Sequence, residues 1–117
     1  MSKLFFLANE YVKAWNTNDV EQIRPLLSTD VTYEDWNGEI KGIEEVLHNN
    51  KLALEQYPSR MDVISALAKF EFETDLTKGE VEIKLYLFLD EDKIRNVTLS
   101  ITSDGTSITK TQMVMKH

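Results

Sequence analysis

The chain has 117 residues, no cysteine, two histidines and a net charge of −7, from 13 Lys and Arg against 20 Asp and Glu. Its length predicts one domain over residues 1–117, and the absence of cysteine excludes disulfide bonds and thiolate nucleophiles. The negative charge argues against nucleic acid or an anionic membrane as a partner, since clustered Lys and Arg are what bind phosphate groups.

Three helices are predicted in the first half of the chain. Over residues 2–16, apolar side chains recur at spacings of three, four and seven, the pattern of one buried helical face. Asn18 or Asp19 can cap a second helix, which Pro25 keeps short because proline lacks the amide donor. A third helix is expected over residues 43–57, between a glycine and a proline.

The hydrophobic periodicity changes to two at Val31, which predicts a strand with Val31, Tyr33 and Asp35 on one face. The Asn37-Gly38 pair then predicts a turn into a short return strand. Neither this region nor any other contains about 18 consecutive apolar residues, so we expect no membrane span and a cytoplasmic protein.

Four antiparallel strands are predicted after residue 59. Apolar residues alternate with polar ones, turns are expected at 77–79 and 103–105, and residues 90–92 form an acidic hairpin tip. Helices followed by such a run of strands predict an α+β domain. In it, a curved, cup-shaped antiparallel sheet is covered on its concave face by the three N-terminal helices.

The other face of this sheet is predicted to be uncharged. Near residues 84–89, apolar side chains occupy both faces of one strand, as in strands that are covered on both sides. The neighbouring strands place hydroxyl side chains outward: Thr98, Ser100, Thr102, Thr109 and Thr111. We predict a homodimer that packs through this sheet face; an ordinary solvated, Thr-rich face is the alternative.

Asp35 is the carboxylate with the most informative position. If Val31 and Tyr33 face the core, Asp35 faces the same way at the open end of the cup. Partial desolvation by aromatic walls would make Asp35 a candidate general base. A solvated carboxylate at a strand end is the alternative.

Tyr11 and Asn50 are two further candidates, on apolar helical faces. A buried phenol needs a partner for its hydroxyl, and in a cavity that partner can be a ligand oxygen that gains negative charge. A buried amide costs roughly 1–3 kcal/mol when unpaired, so Asn50 should have a protein, water or ligand partner. For both residues, a bond to a backbone group is the alternative.

The expected cavity walls are Trp15, Tyr33, Phe70, Phe72 and Met113. Neither histidine lies on an expected cavity face, because His48 is opposite the apolar stripe of its helix and His117 is the last residue. The chain has no metal-ligand spacing and no glycine-rich phosphate loop. We therefore expect neither a metal nor an organic cofactor.

A family resemblance rests on segments spread over nearly the whole chain: Tyr11–Asp19, Ile23, Leu26-Leu27, Asp30–Asp35, Gly42–Val46, Tyr57-Pro58 and Asp104-Gly105. Together they resemble the nuclear transport factor 2-like superfamily, and more narrowly its SnoaL-like polyketide cyclase and ketosteroid isomerase branches. The resemblance implies a cone-shaped α+β domain of the cystatin-like fold, with an apolar cavity and usually a dimer. The superfamily contains isomerases, cyclases, dehydratases, epoxide hydrolases and non-catalytic binding proteins.

Two positions match functional residues of the steroid isomerases. Tyr11 matches a tyrosine that donates to the dienolate oxygen, and Asp35 matches the aspartate that moves a proton between carbons. The third member, a protonated aspartate, would fall near Val97, where the sequence has no acid. The His and Asp pair of the cyclases is also missing.

The sequence leaves two functions open. In the first, the chain is an isomerase- or cyclase-type enzyme: Asp35 removes a proton next to the carbonyl of a small apolar molecule, and Tyr11 stabilises the enolate. In the second, it is a non-catalytic dimer that binds a small molecule or another partner. A single cavity reached by Asp35, Tyr11 and Asn50 would favour the enzyme.

Overall fold

A computed structural model describes residues 2–56, 58–90 and 93–115. The helices are α1 (Lys3–Asn16), two short 3₁₀ helices (Val20–Gln22 and Arg24–Leu26) and α2 (Ile43–Gln56). The strands are β1 (Leu27–Asp35), β2 (Gly38–Lys41), β3 (Arg60–Phe72), β4 (Asp75–Asp90), β5 (Lys93–Asp104) and β6 (Ile108–Met115). Helices that cover one face of a single sheet make an α+β domain, as predicted.

Helix α1 begins at a serine cap and buries one face. The Ser2 hydroxyl accepts a hydrogen bond from the Phe5 amide at 3.2 Å, which satisfies a donor that the first helical turn leaves free. The stripe predicted from the sequence is buried: Leu4, Leu7, Ala8, Tyr11, Val12, Ala14 and Trp15. No helix in the described part of the chain is long and apolar enough to span a membrane.

The expected second helix is reduced to the two 3₁₀ helices. The Asp19 carboxylate accepts a hydrogen bond from the Glu21 amide at 3.0 Å and so caps the first of them. Pro25 lies in the second. Because proline has no amide donor and clashes with the preceding turn, an α-helix cannot continue through this position. The prediction of a short, tightened helix is confirmed.

The six strands form one curved sheet in the order β2-β1-β6-β5-β4-β3. All neighbouring strands are antiparallel except β1 and β6, which run parallel with Tyr33 opposite Thr111. The sheet is therefore mixed rather than wholly antiparallel, because the chain leaves β1, crosses over the sheet and returns in the same direction. The four antiparallel strands predicted after residue 59 are present.

The hairpin of β3 and β4 reverses at residues 73–74, before the turn expected at 77–79. Gly79 lies inside β4 instead, opposite Phe70, with a φ of +147°. A glycine adopts positive φ without a side-chain clash. Gly79, which indicated a turn in the sequence, therefore allows an irregular backbone conformation within β4 instead. Of the acidic tip predicted at 90–92, Glu91 and Asp92 lie outside the described residues.

The core lies between the helices and the concave face of the sheet. Val81, Ile83, Leu85 and Leu87 of β4 are each at most 4% exposed, which matches the inward row predicted for this strand. The next strand continues the row with Val97, Leu99 and Ile101, which are at most 2% exposed.

The opposite face of the sheet is less buried. Thr98, Ser100 and Thr102 are half-buried there, in the outward row that the sequence predicts. Thr111 does not belong to this row: it is 1% exposed and lies on the core side with Met113, because residues two apart on a strand share a face. A homodimer through this surface stays a prediction.

We predict that Gly79→Ala destabilises the domain by about 1–3 kcal/mol. A Cβ atom at this position would fall on the carbonyl oxygen of Lys69 and 2.9 Å from the Cα of Phe70, which are backbone atoms with little freedom to move. The matched control is Gly38→Ala, which also has positive φ but no atom within 4 Å of the added Cβ. Urea unfolding measures both variants, and equal losses of stability would contradict the clash.

Candidate functional site

A cavity of about 340 Å³ lies at the C-terminal ends of α1 and α2, beside strands β1, β4 and β6. Three aromatic rings contribute to its wall: Trp15, Tyr33 and Trp36. Aliphatic side chains and a methionine form most of the remainder, among them Leu54, Leu87, Leu89 and Met113. A depression of about 360 Å³ on the outer side of the sheet has no carboxylate in its lining. The first cavity is therefore the candidate site.

Asp35 lies half-buried at the end of β1, and both of its carboxylate oxygens accept a hydrogen bond. Oδ1 accepts from the Asn37 amide at 2.7 Å, an interaction typical of an aspartate that begins a tight turn. Oδ2 accepts from the Tyr33 hydroxyl at 3.0 Å, because residues two apart on a strand share a face. A carboxylate has about four lone-pair sites, so Asp35 can accept a further hydrogen bond from the cavity that it lines.

Tyr33 is a fixed donor to Asp35. Burial raises the pKa of the Tyr33 phenol well above its usual value, and the neighbouring Tyr11 and the Asp35 carboxylate raise it further. The Tyr33 hydroxyl also lies 3.9 Å from the Sδ of Met113. Since the phenol stays neutral near pH 7, it holds the Asp35 carboxylate in place and does not act as a base.

Trp15 and Ser59 form another part of the wall. The Trp15 indole Nε1 donates a hydrogen bond to Ser59 Oγ at 3.0 Å, and the Ser59 amide donates to Asn18 Oδ1 at 3.2 Å. Ser59 is 6% exposed. Its hydroxyl accepts from Trp15 and finds no acceptor of its own among the described residues, so its proton is available to a molecule in the cavity.

Tyr11 lies one helical turn before Trp15, and the two ring centroids are 6.4 Å apart. It is 1% exposed and does not line the cavity. Burial raises the pKa of the Tyr11 phenol well above its usual value, and the nearby Thr111 hydroxyl opposes part of that rise. The two hydroxyls do not reach hydrogen-bond geometry, and the Tyr11 hydroxyl has no partner within the described residues.

Asn50 is buried as predicted, at 1% exposure, but neither atom of its amide has a partner in the described part of the chain. It lies three and four positions before Ala53 and Leu54, which line the cavity, and so on the same face of α2. Tyr11 has the same relation to Trp15. Each helix therefore places one unpartnered polar group a single turn below the cavity.

The structure brings together only part of the set predicted from the sequence. Four members line the cavity: Trp15, Tyr33, Asp35 and Met113. Tyr11 and Asn50 lie beneath it and do not open into it. A single cavity reached by Asp35, Tyr11 and Asn50 would favour the enzyme hypothesis. The structure does not provide it, because Asp35, the predicted base, lines the cavity and Tyr11, the predicted donor, does not.

Phe70 and Phe72 lie elsewhere, at the far end of β3, where they are 36% and 54% exposed. The expectation that these rings wall the cavity is wrong, because only the start of β3 approaches Trp15. Arg60 and Phe70 are ten positions apart in the extended strand, which corresponds to about 33 Å.

Trp36 and Ser59 are cavity residues that sequence reasoning missed. Simple alternation from Tyr33 and Asp35 puts Trp36 on the opposite face of the strand, but β1 ends at Asp35 and the turn frees Trp36 from that alternation. Ser59 precedes the first residue of β3 and shows no pattern of its own; only its bond to Trp15 reveals it. His48 is exposed, as predicted, and His117 lies outside the described residues.

No family model and no curated protein matches this sequence. A protein of unknown function with a cystatin-like fold from Methylobium petroleophilum superposes with a TM-score of 0.80 at 14% identity, over 98% of this chain and 76% of that one. A nuclear transport factor 2-like protein of unknown function from Cytophaga hutchinsonii gives 0.76 at 15% identity, over 99% and 92%. A candidate ketosteroid isomerase from Kribbella flavida gives 0.75 at 20% identity, over 96% and 76%.

These similarities show that the chain has the cystatin-like fold of nuclear transport factor 2-like proteins, as the sequence resemblance predicted. They concern the fold, and a fold of this kind supports many unrelated functions. The chemistry of the chain has to be argued from its own cavity.

We predict that Asn50→Leu stabilises the ligand-free protein by about 1 kcal/mol or more, because it replaces two unpartnered buried amide atoms with an apolar group of similar size. Asn49→Leu is the matched control: Asn49 is half-buried, and we expect a change within about 0.5 kcal/mol. Urea unfolding measures both. Destabilisation by Asn50→Leu would mean that the amide has a partner in solution, such as an ordered water molecule.

Proposed function

We propose that this chain binds a small, largely apolar molecule that donates one hydrogen bond to the Asp35 carboxylate. The observation that carries the proposal is the position of Asp35 in the wall of a cavity whose other side chains are mostly aromatic or aliphatic. A hydrogen bond to a charged group contributes about 1.5–3 kcal/mol, and apolar surroundings strengthen it.

The size of the cavity supports a ligand of one or two rings. Its volume of about 340 Å³ falls at the lower end of the roughly 300–1,000 Å³ typical of small-molecule sites. The rings of Trp15 and Tyr33 are held by hydrogen bonds to Ser59 and Asp35. Because these rings are fixed before the ligand arrives, little conformational entropy is lost on binding.

The local geometry also fixes the direction of the carboxylate. The Asn37 amide and the Tyr33 hydroxyl both donate to it. Since these donors are already used, a hydrogen-bond acceptor on the ligand would find no donor beside Asp35. We therefore infer that a hydroxyl or amine group of the ligand faces Asp35, and that the apolar body lies against Trp15, Leu54 and Met113.

We predict that 2-decalol quenches or shifts the tryptophan fluorescence of the protein and that its methyl ether, which lacks the donor, binds about tenfold more weakly. The chain has two tryptophans, and both line the cavity, so a Trp36→Phe background reports on Trp15 alone. Asp35→Asn should weaken the alcohol about tenfold and leave the ether unchanged. Equal affinity of alcohol and ether for the unsubstituted protein would count against the proposed contact.

A second candidate function is proton transfer next to a carbonyl group. Asp35 would act as the base, and the Ser59 hydroxyl, polarised by the Trp15 indole N–H, would donate to the carbonyl oxygen as negative charge develops on it. The observation that favours this candidate is that Asp35 and Ser59 line the same cavity, and that the Ser59 hydroxyl, which accepts from Trp15, has no acceptor of its own among the described residues. Ser59 thus takes the role for which the sequence suggested Tyr11.

We predict that, if this second candidate holds, the protein accelerates deuterium exchange at the carbons next to the carbonyl of 2-decalone in D₂O, followed by mass spectrometry. Asp35→Asn should lower the accelerated rate by about 10²–10⁴-fold, and Ser59→Ala by about 10²–10³-fold. A large loss in Tyr11→Phe with none in Ser59→Ala would restore the sequence-based assignment. No acceleration together with tight binding of 2-decalol would identify a binding protein without this activity.

A further inference from the structure

The two edges of the sheet differ in how they are protected. Edge strand β2 has four residues, of which Glu39 and Lys41 are charged, and short charged edges resist pairing with other chains. Edge strand β3 has 13 residues, and no strand within the described residues pairs with its outer side. Its backbone donors and acceptors on that side are a template for another strand.

Only the beginning of this edge is covered. The Asn16 side chain accepts a hydrogen bond from the Met61 amide at 2.8 Å and donates to the Met61 carbonyl oxygen at 3.0 Å, in the manner of a paired strand. From residue 62 onward, no side chain of the described structure bonds to the outer edge of β3. A partner strand can therefore lie along residues 62–72 and has to leave the edge before it reaches Met61.

The uncovered part of β3 carries exposed apolar side chains among its charged residues. Ile64 is 54% exposed, Leu67 is 60% exposed and Phe72 is 54% exposed. Another strand could pair with the open backbone groups of this edge. It would also remove part of the apolar side-chain surface from water, which is favourable.

The charges of β3 are arranged so that the strand complements itself. Asp62 lies near one end of the uncovered part and Lys69 near the other. In a regular strand, residues seven apart point to opposite faces. Here a bulge between Val63 and Ser65 adds one residue, so that Asp62 lies opposite Tyr86 of β4 and Lys69 lies opposite Glu80. Tyr86 and Glu80 are six residues apart in a regular part of β4 and share a face. Asp62 and Lys69 therefore share a face as well.

An antiparallel pair of two β3 strands, related by a two-fold axis at Ala66, therefore places each Asp62 opposite Lys69 of the second copy. Val63 then lies opposite Ala68, and the bulge of each strand lies opposite Leu67 of the other. The side chains of Asp62 and Lys69 are 51% and 62% exposed, and each also forms an ion pair within its own chain, Asp62 with Arg60 at 3.2 Å and Lys69 with Glu82 at 3.8 Å. Opposite charges directly across a strand pair stabilise the pairing.

We propose that two copies of this chain associate through this edge, antiparallel over residues 62–69, and join their sheets into one. The Asn16 side chain sets the limit of the contact at Met61. The pairing backbone groups lie on the edge of the sheet, away from the cavity, so occupation of the edge does not depend on the proposed ligand. The side chains of Asp62 and Lys69 lie on the same side of the sheet as Thr102.

The test is a charge exchange followed by sedimentation velocity over a range of protein concentrations. We expect the unsubstituted protein to dimerise, and Asp62→Lys or Lys69→Glu alone to weaken the dimer about tenfold or more, because each puts two like-charged pairs into the interface. The double variant Asp62→Lys/Lys69→Glu restores the opposite charges and should return to near the original affinity. Lys13→Glu, at a 74% exposed side chain on α1, is the matched control and should leave association unchanged.

Three results would overturn the proposal. The first is a protein that stays monomeric at its highest soluble concentration. The second is a dimer that neither single variant weakens, which would point to the Thr-rich face instead. The third is a double variant that remains as weak as the single variants. Circular dichroism of each variant verifies that the fold is retained.

Discussion

The end of α1 is held to the start of β3 by four hydrogen bonds, and the rest of the structure depends on this contact. Trp15, Asn16 and Asn18 bind Ser59 and Met61, residues more than 40 positions further along the chain. The contact fixes one wall of the cavity through Trp15. It also covers the first part of the β3 edge through Asn16, and so decides where that edge becomes open.

The cavity combines a locally built acceptor with walls that come from distant parts of the chain. Asp35 receives its two hydrogen bonds from Tyr33 and Asn37, within five consecutive residues. The walls come from both helices and three strands. The direction of the carboxylate is therefore set by local sequence, while the shape and size of the ligand are set by the tertiary fold. Substitutions in the walls should change which molecule fits without moving the acceptor.

Those features that depend on local pattern could be predicted from the sequence. The periodicity at Val31, Tyr33 and Asp35 correctly placed all three on the inner side of β1, and the stripe of α1 is buried as predicted. The position of Phe70 could not be predicted in this way, because alternation says which face a residue lies on but not how far the strand runs beyond the helices. Ser59 was missed for a related reason: its partner Trp15 is 44 residues away.

The parallel pairing of β1 with β6 has a consequence for how the site folds. Tyr33 and Met113, on these neighbouring strands, are 80 positions apart in the chain. Until β6 joins the sheet, β1 lacks a partner strand on that side and Tyr33 lacks its neighbour Met113. Contacts of such sequence separation form slowly, so closure of the cavity depends on the slowest kind of pairing in the domain.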